Sequence, residues 1–222
     1  MKVILFGGSG MIGQGVLREC LLDSDVEEVL SIGRSQTGQR HPKLREIVHH
    51  NFLDFSSLET DVTGFDACFF CLGITSAGTS KAHYRLVTRD FTLAAARTLV
   101  KAAPAMTFIY VSGAGTDATE RGRVMWARVK GATENALRTL GFRATYCFRP
   151  GYIQPLHGIR SKTGWYRAMY AVTARLYPLL QATAPSYLTT TEAMGRAMLN
   201  VGKRGWPNPV LETPDINAAA EG

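Results

Sequence analysis

Short apolar runs alternate along most of this chain with stretches whose apolar positions recur every three or four residues. The run at residues 2–6 stops at Gly7-Gly8, and from Met11 the spacing turns helical through Ile12, Val16, Leu17, Cys20 and Leu21. Residues 29–32 predict a second strand ended by Gly33, residues 45–49 a third, and residues 66–72 a fourth ended by Gly73. A polar loop at 51–57 separates the last two. A long helix is predicted over about 82–102, with Leu86, Phe91, Ala94, Ala95 and Leu99 inward. A fifth strand at 107–111, a helix at 124–140 and a sixth strand at 144–148, closed by Arg149-Pro150-Gly151, complete the series.

Strands alternating with helices at these intervals predict a doubly wound parallel sheet with helices on both faces, a three-layer αβα Rossmann fold. After Pro155 the rhythm changes. Trp165, Met169, Val172, Leu176, Leu179 and Leu180 mark one face of a helix over about 164–181, and caps at 189–191 open another that runs to Val201. Residues 209–212 suit a final short strand, and the small-residue ending 217–222 is expected to fray. A single domain is expected, with a cofactor-binding core over 1–154 and a small helical cover over 155–222 at the substrate end.

The chain has 222 residues, 45% of them hydrophobic and 19% charged, enough for one α/β domain with a sizeable core. A net charge of +7 raises nucleic acid as a partner. The basic residues are scattered without a long run or interleaved aromatics, so no nucleic-acid partner is expected. The apolar start is too short for a signal-peptide core, and no stretch reaches bilayer length. The expectation is therefore a cytoplasmic protein without stable membrane insertion. Cys68 and Cys71 form a C-x-x-C, but residues three apart on a strand face opposite ways, which argues for core cysteines. Adjacent His49 and His50 likewise lack a ligand set, and no metal is expected.

The sharpest motif is Gly7-Gly8-Ser9-Gly10-Met11-Ile12-Gly13, a G-x-x-G-x-x-G that leaves a strand and opens a helix. Gly7 suits the tight exit, Gly10 a close backbone approach to a pyrophosphate, and Gly13 close helix–strand packing. Met11 and Ile12 open the helix whose N-terminus favours an anion. The end of the second strand carries Ser31-Ile32-Gly33-Arg34 with no carboxylate for a ribose 2′-hydroxyl, and Arg34 offers a guanidinium to a 2′-phosphate. NADP(H) is therefore favoured over NAD(H).

Together with this loop, Gly33-Arg34, Asn51-Phe52-Leu53-Asp54, Cys71-Leu72-Gly73, Val129-Lys130-Gly131 with Glu134, and Phe148-Arg149-Pro150-Gly151 resemble the atypical short-chain dehydrogenases/reductases. The likeness is to their epimerase/dehydratase-like, Tat-interacting-protein-like branch and covers residues 1 to about 154. It implies that Asp54 bonds the adenine amino group and that Cys71, Leu72 and Gly73 run along the ribose and pyrophosphate. It also implies that Lys130 holds the nicotinamide ribose, flanked by the backbone from Pro150 to Ile153. A loop cap at Asp54 and a solvated Lys130 are the structural alternatives.

The resemblance breaks at the proton donor. The family places a Tyr four residues before the Lys, and this chain has Trp126, whose indole is no general acid near neutral pH. The carbonyl-polarising hydroxyl is Ser112 in one alignment and is replaced by Gly113 in another. Three functions stay open: an oxidoreductase of a small carbonyl or alcohol, a non-turnover NADPH-binding regulator, and an epimerase or isomerase with retained cofactor. Tyr84, His83, Thr116, Asp117 and Tyr152 are the candidate replacement acids. Arg121, Arg123 and Arg128 suit a solvated helix face better than an anion site. The apolar helix at 164–181 suits a cover over the substrate cleft, with a homodimer surface or a membrane-touching face as the alternatives.

Overall fold

The computed structural model describes residues 1–159 and 185–222, so the predicted helix over 164–181 lies outside the described residues. Among the described residues, seven parallel strands form one sheet. They are β1 (Lys2–Phe6), β2 (Glu28–Gly33), β3 (Leu44–Val48), β4 (Ala67–Phe70), β5 (Thr107–Val111), β6 (Ala144–Arg149) and β9 (Val210–Glu212). Their order across the sheet is β3-β2-β1-β4-β5-β6-β9. Two further strands, β7 (Tyr152–Gln154) and β8 (Leu188–Thr190), pair as a separate parallel ribbon. The chain winds outward from β1 to β3 and then returns to place β4 on the other side of β1. The resulting switch point opens a crevice at the carboxyl ends of β1 and β4.

Side-chain alternation along β1 divides the interior into two cores. Val3 and Leu5 face α1 (Met11–Leu22), α5 (Thr191–Arg204) and α6 (Thr213–Glu221), while Ile4 and Phe6 face α3 (Phe91–Ala102), α4 (Met125–Arg138) and the loop after β3. On that second face Phe6, Phe70 and Phe108 step across neighbouring strands at ring separations of 5.0 and 5.9 Å. Such pairs add to their area burial. The cysteines divide in the same way: Cys68 is buried in the phenylalanine core, and Cys71 packs against the opposite one. All four cysteines are free thiols.

Two expectations need correction. The predicted long helix is continuous in position but not in phase. It begins as α2 (Lys81–Arg85), passes through a π-helical turn at Leu86–Asp90, and continues as α3. A π turn inserts a residue and rotates the helix beyond it. Tyr84, Val87, Leu93, Ala95, Ala96 and Leu99 are therefore buried, whereas Leu86, Phe91 and Ala94 are only partly covered. The ending at 217–222 does not fray through its length: it forms most of α6, fastened by Ile216 and Ala219 in the core. A capping box between Glu212 and Asp215 opens that helix, with Pro214 in its first turn.

The tightest helix contact is α1 against α5. A Cβ on Gly15 would lie 2.5 Å from the Thr191 carbonyl oxygen, so no side chain fits there. Gly15→Ala should lower stability by about 1–3 kcal/mol, read as a drop in the urea midpoint, with the far-UV spectrum unchanged.

Candidate active site

Gly7 leaves β1 at φ +79°, a conformation that favours glycine, and its carbonyl accepts from Gly10 N–H at 2.8 Å. The turn folds back so closely that a Cβ on Gly13 would stand 2.1 Å from the Gly7 oxygen. No side chain caps the start of α1 and no acidic residue lies in its first turn. Met11 and Ile12 thus open the helix on the wall of the crevice without a side-chain cap, which is the arrangement a diphosphate needs. This cradle fits a dinucleotide.

Two cavities meet at the cradle, sharing Gly10, Met11, Cys71, Leu72 and Gly73. The smaller, about 320 Å³, runs toward β2 between Gly7 and Arg34 and is also lined by Ser31, Ser35 and Phe52. Arg34 is exposed at its rim, and no Asp or Glu is among its described lining residues. The larger, about 640 Å³, extends past Ile12 to Ser112, Lys130, Gly151 and Ile153, with Thr75, Thr79 and His83 on its wall. Joined, they make one groove with an adenosine-sized end and a reaction-sized end.

Most of the residues singled out in the sequence are brought together here; four line neither cavity, Gly13 among them because it is buried against the Gly7 turn. Asp54 is exposed and lines neither cavity. Its Oδ1 accepts from Ser56 N–H at 2.9 Å, and the hydrogen bonds from Ser56 hold its carboxyl below the usual range. Phe52, its near neighbour in the same motif, lines the groove instead. Pro150 lies between the lining residues without being one, although its carbonyl accepts from Ala114 N–H at 2.9 Å. Trp126 lines neither cavity. Its ring reaches the turn at Gly115, 3.6 Å from where a Cβ there would sit.

At the reaction end Lys130 Nζ donates to the Ser112 carbonyl at 2.7 Å and, more weakly, to Val111 at 3.4 Å. The Tyr110 ring centroid lies 5.7 Å from the same nitrogen. Burial disfavours the ammonium and brings its pKa down to about 8, against a smaller opposing pull from Glu134. Thr116 Oγ1 donates to the Gly113 carbonyl at 2.7 Å, so the Ser112 hydroxyl donates to Thr116 across 2.9 Å. Rotating the Thr116 hydroxyl reverses this pair and frees the Ser112 proton for a carbonyl in the groove. Thr116 belongs to the site through Ser112, a link that no periodicity in the sequence marks.

The other candidate acids separate by position. Tyr84 is buried in the core, Asp117 is exposed and bound to Thr119 and Gly122, and the Tyr152 hydroxyl bonds Gln154 at 2.9 Å. His83 alone of the five lines the larger cavity. His49 is taken up locally: its Nε2 lies 2.8 Å from the carbonyl oxygens of both Asn51 and Asp54.

Beneath this end Glu134 forms a two-pronged pair with Arg149, at 3.0 Å from Nε and 2.6 Å from Nη2. Arg149 reaches on to Glu212 at 3.3 Å. The first pair anchors α4, and with it Lys130, to β6.

No known protein-family model matches the chain. It is 29% identical to the rat protein HTATIP2 over 155 residues, 68% of this chain and 62% of that protein. The match thus takes in less than two thirds of this relative's length. Among solved structures it is similar to a short-chain dehydrogenase/reductase family oxidoreductase of Burkholderia thailandensis, with TM-score 0.65, 15% identity, and 90% and 84% of the two chains covered. It is also similar to the Bordetella bronchiseptica enzyme WbmG in complex with NAD, with TM-score 0.67, 14% identity, and 100% and 77% covered. The strand order, the glycine cradle at the switch point and these likenesses define a Rossmann fold, one shared with short-chain dehydrogenase/reductase structures. In sequence the chain is similar to the Tat-interacting-protein-like branch of the atypical members, as the likeness to HTATIP2 indicates.

Because Glu134 and Arg149 are buried together, removing one partner strands the other. Glu134→Leu should cost about 3 kcal/mol in urea unfolding, and Glu134→Leu with Arg149→Met should recover more than half of that loss.

Proposed function

We propose that this chain binds NADP(H) along the groove and interconverts a small carbonyl compound and its alcohol. The observation that carries the reading is the continuity of the groove. It runs from a cationic rim at Arg34, across an uncapped helix start, to the Ser112–Lys130 pair. WbmG, similar in fold, has been solved with NAD. The lining of the adenosine end favours the phosphorylated coenzyme, since it offers Arg34 and no described carboxylate to a ribose phosphate.

When bound, the cofactor supplies or accepts the hydride. The chain's own residues do the rest. The cradle at Gly10–Gly13 holds the diphosphate, and Gly151 and Ile153 flank the nicotinamide end. Ser112, released from Thr116, polarises the carbonyl oxygen.

A non-turnover NADPH-binding regulator is a second reading. It is favoured by Trp126 lying against the Gly115 turn and outside the groove, where it supplies no proton.

Titration with NADPH and NADH tests the cofactor assignment. The protein should bind NADPH about ten- to hundredfold more tightly, a ratio set by one charge-assisted contact. Arg34→Ala should bring that ratio to within threefold of unity, with NADH affinity little changed. An unaltered ratio in the variant would remove Arg34 from the site.

A further inference from the structure

We infer that Lys130 is the direct proton donor to the carbonyl oxygen in this site, taking over the step left vacant at Trp126. The inference rests on the reductase reading above and goes beyond it by assigning the acid.

Lys130 Nζ carries three N–H bonds, of which one goes to the Ser112 carbonyl at 2.7 Å and a longer one to Val111 at 3.4 Å. Both acceptors are neutral amides at the carboxyl end of β5, and Lys130 and Ser112 line the same wall of the larger cavity. An ammonium paired with a carboxylate would hold its proton tightly; this one is held by dipoles. No third hydrogen-bond acceptor of Nζ is found among the described residues, and Lys130 lines the groove.

The charges around it leave it in that condition. Glu134, one turn further along α4, is the acidic group near it, and its carboxylate is clamped by Arg149 of β6, which also reaches Glu212. From β5 the amine meets the Tyr110 ring. Among the described residues of the cavity the remaining titratable groups are His83, and Cys71, whose thiol burial pushes up. Burial makes the ammonium costly and brings its pKa down to about 8, close to the range in which a general acid works near neutral pH.

As hydride reaches the carbonyl carbon, the C=O π pair moves onto oxygen. That oxygen takes a proton from Lys130 Nζ: an N–H bond breaks, an O–H bond forms, and the amine is left neutral. Water then reprotonates it. The carbonyl gains the two electrons that the nicotinamide loses. The donor must be protonated, so reduction proceeds below the amine's pKa and fades as pH rises through it.

Lys130→Arg provides the decisive test. Arginine keeps the charge and can hold ribose hydroxyls, but does not release a proton near neutral pH. The wild-type chain, Lys130→Arg and His83→Gln are compared for NADPH affinity and for NADPH oxidation by phenanthrenequinone and a panel of uncharged aldehydes from pH 6 to about pH 10. Acylation of Lys130 by acetic anhydride, followed by mass spectrometry across the same range, is read without cofactor or substrate.

The expected result has three parts. Lys130 acylation is half-maximal near pH 8. Wild-type kcat falls on the alkaline side. Lys130→Arg binds NADPH within about threefold of wild type but loses about a hundredfold or more in kcat, together with the alkaline break. Turnover that survives in Lys130→Arg, or a break that is lost in His83→Gln, overturns the assignment and leaves the reductase reading standing. An acylation midpoint near the ordinary lysine value of about pH 10 also overturns it. Tight NADPH binding with no turnover of any carbonyl overturns both.

Discussion

The approach of Gly13 to the Gly7 carbonyl is the constraint on which the site depends. Any side chain at Gly13 would have to displace the oxygen that receives the Gly10 amide, and the turn would open. With the turn closed, the first strand delivers the start of α1 to the switch point of the sheet, its amides uncapped. The parallel strands then need only end at the same level for β4 and β5 to bring their own termini into the crevice. Gly73 and Ser112 arrive there because Phe70 pairs with Tyr110 across the β4–β5 ladder.

Below the cradle, two unlike cores brace the sheet. One is a phenylalanine ladder that fixes the strands laterally; the other is a close helix crossing that admits no side chain at Gly15. The buried Glu134–Arg149 pair is a third brace. It joins α4 to β6, the two elements that carry Lys130 and the Gly151 turn. The polar machinery thus stands on a charge pair that never meets the groove.

The parallel strands and the glycine turn were legible because buried parallel strands are short apolar runs and the glycine spacing has few other uses. The boundary at residues 107–111 even coincides with β5. Other features were hidden for separate physical reasons. Helix phase across residues 82–102 failed because a π turn adds a residue that no apolar period announces. The last helix was misread because its alanines look like a loose tail, although Thr213-Pro214-Asp215 carried a start signal. Asp54, singled out by resemblance, turns to its own loop, while Phe52 two residues earlier takes the groove. The link from Thr116 to Ser112 could not be seen at all, since it exists only through a hydroxyl contact across a turn.

The π turn has one more bearing. Because Leu86–Asp90 is wound more loosely than the helix on either side, the short segment bearing His83 is rotationally offset from the segment that packs on the sheet. A substitution that reshapes the mouth of the groove at residues 81–85 need not twist α3 out of its seat. The wall that meets incoming molecules can therefore diversify while the foundation beneath it keeps its geometry.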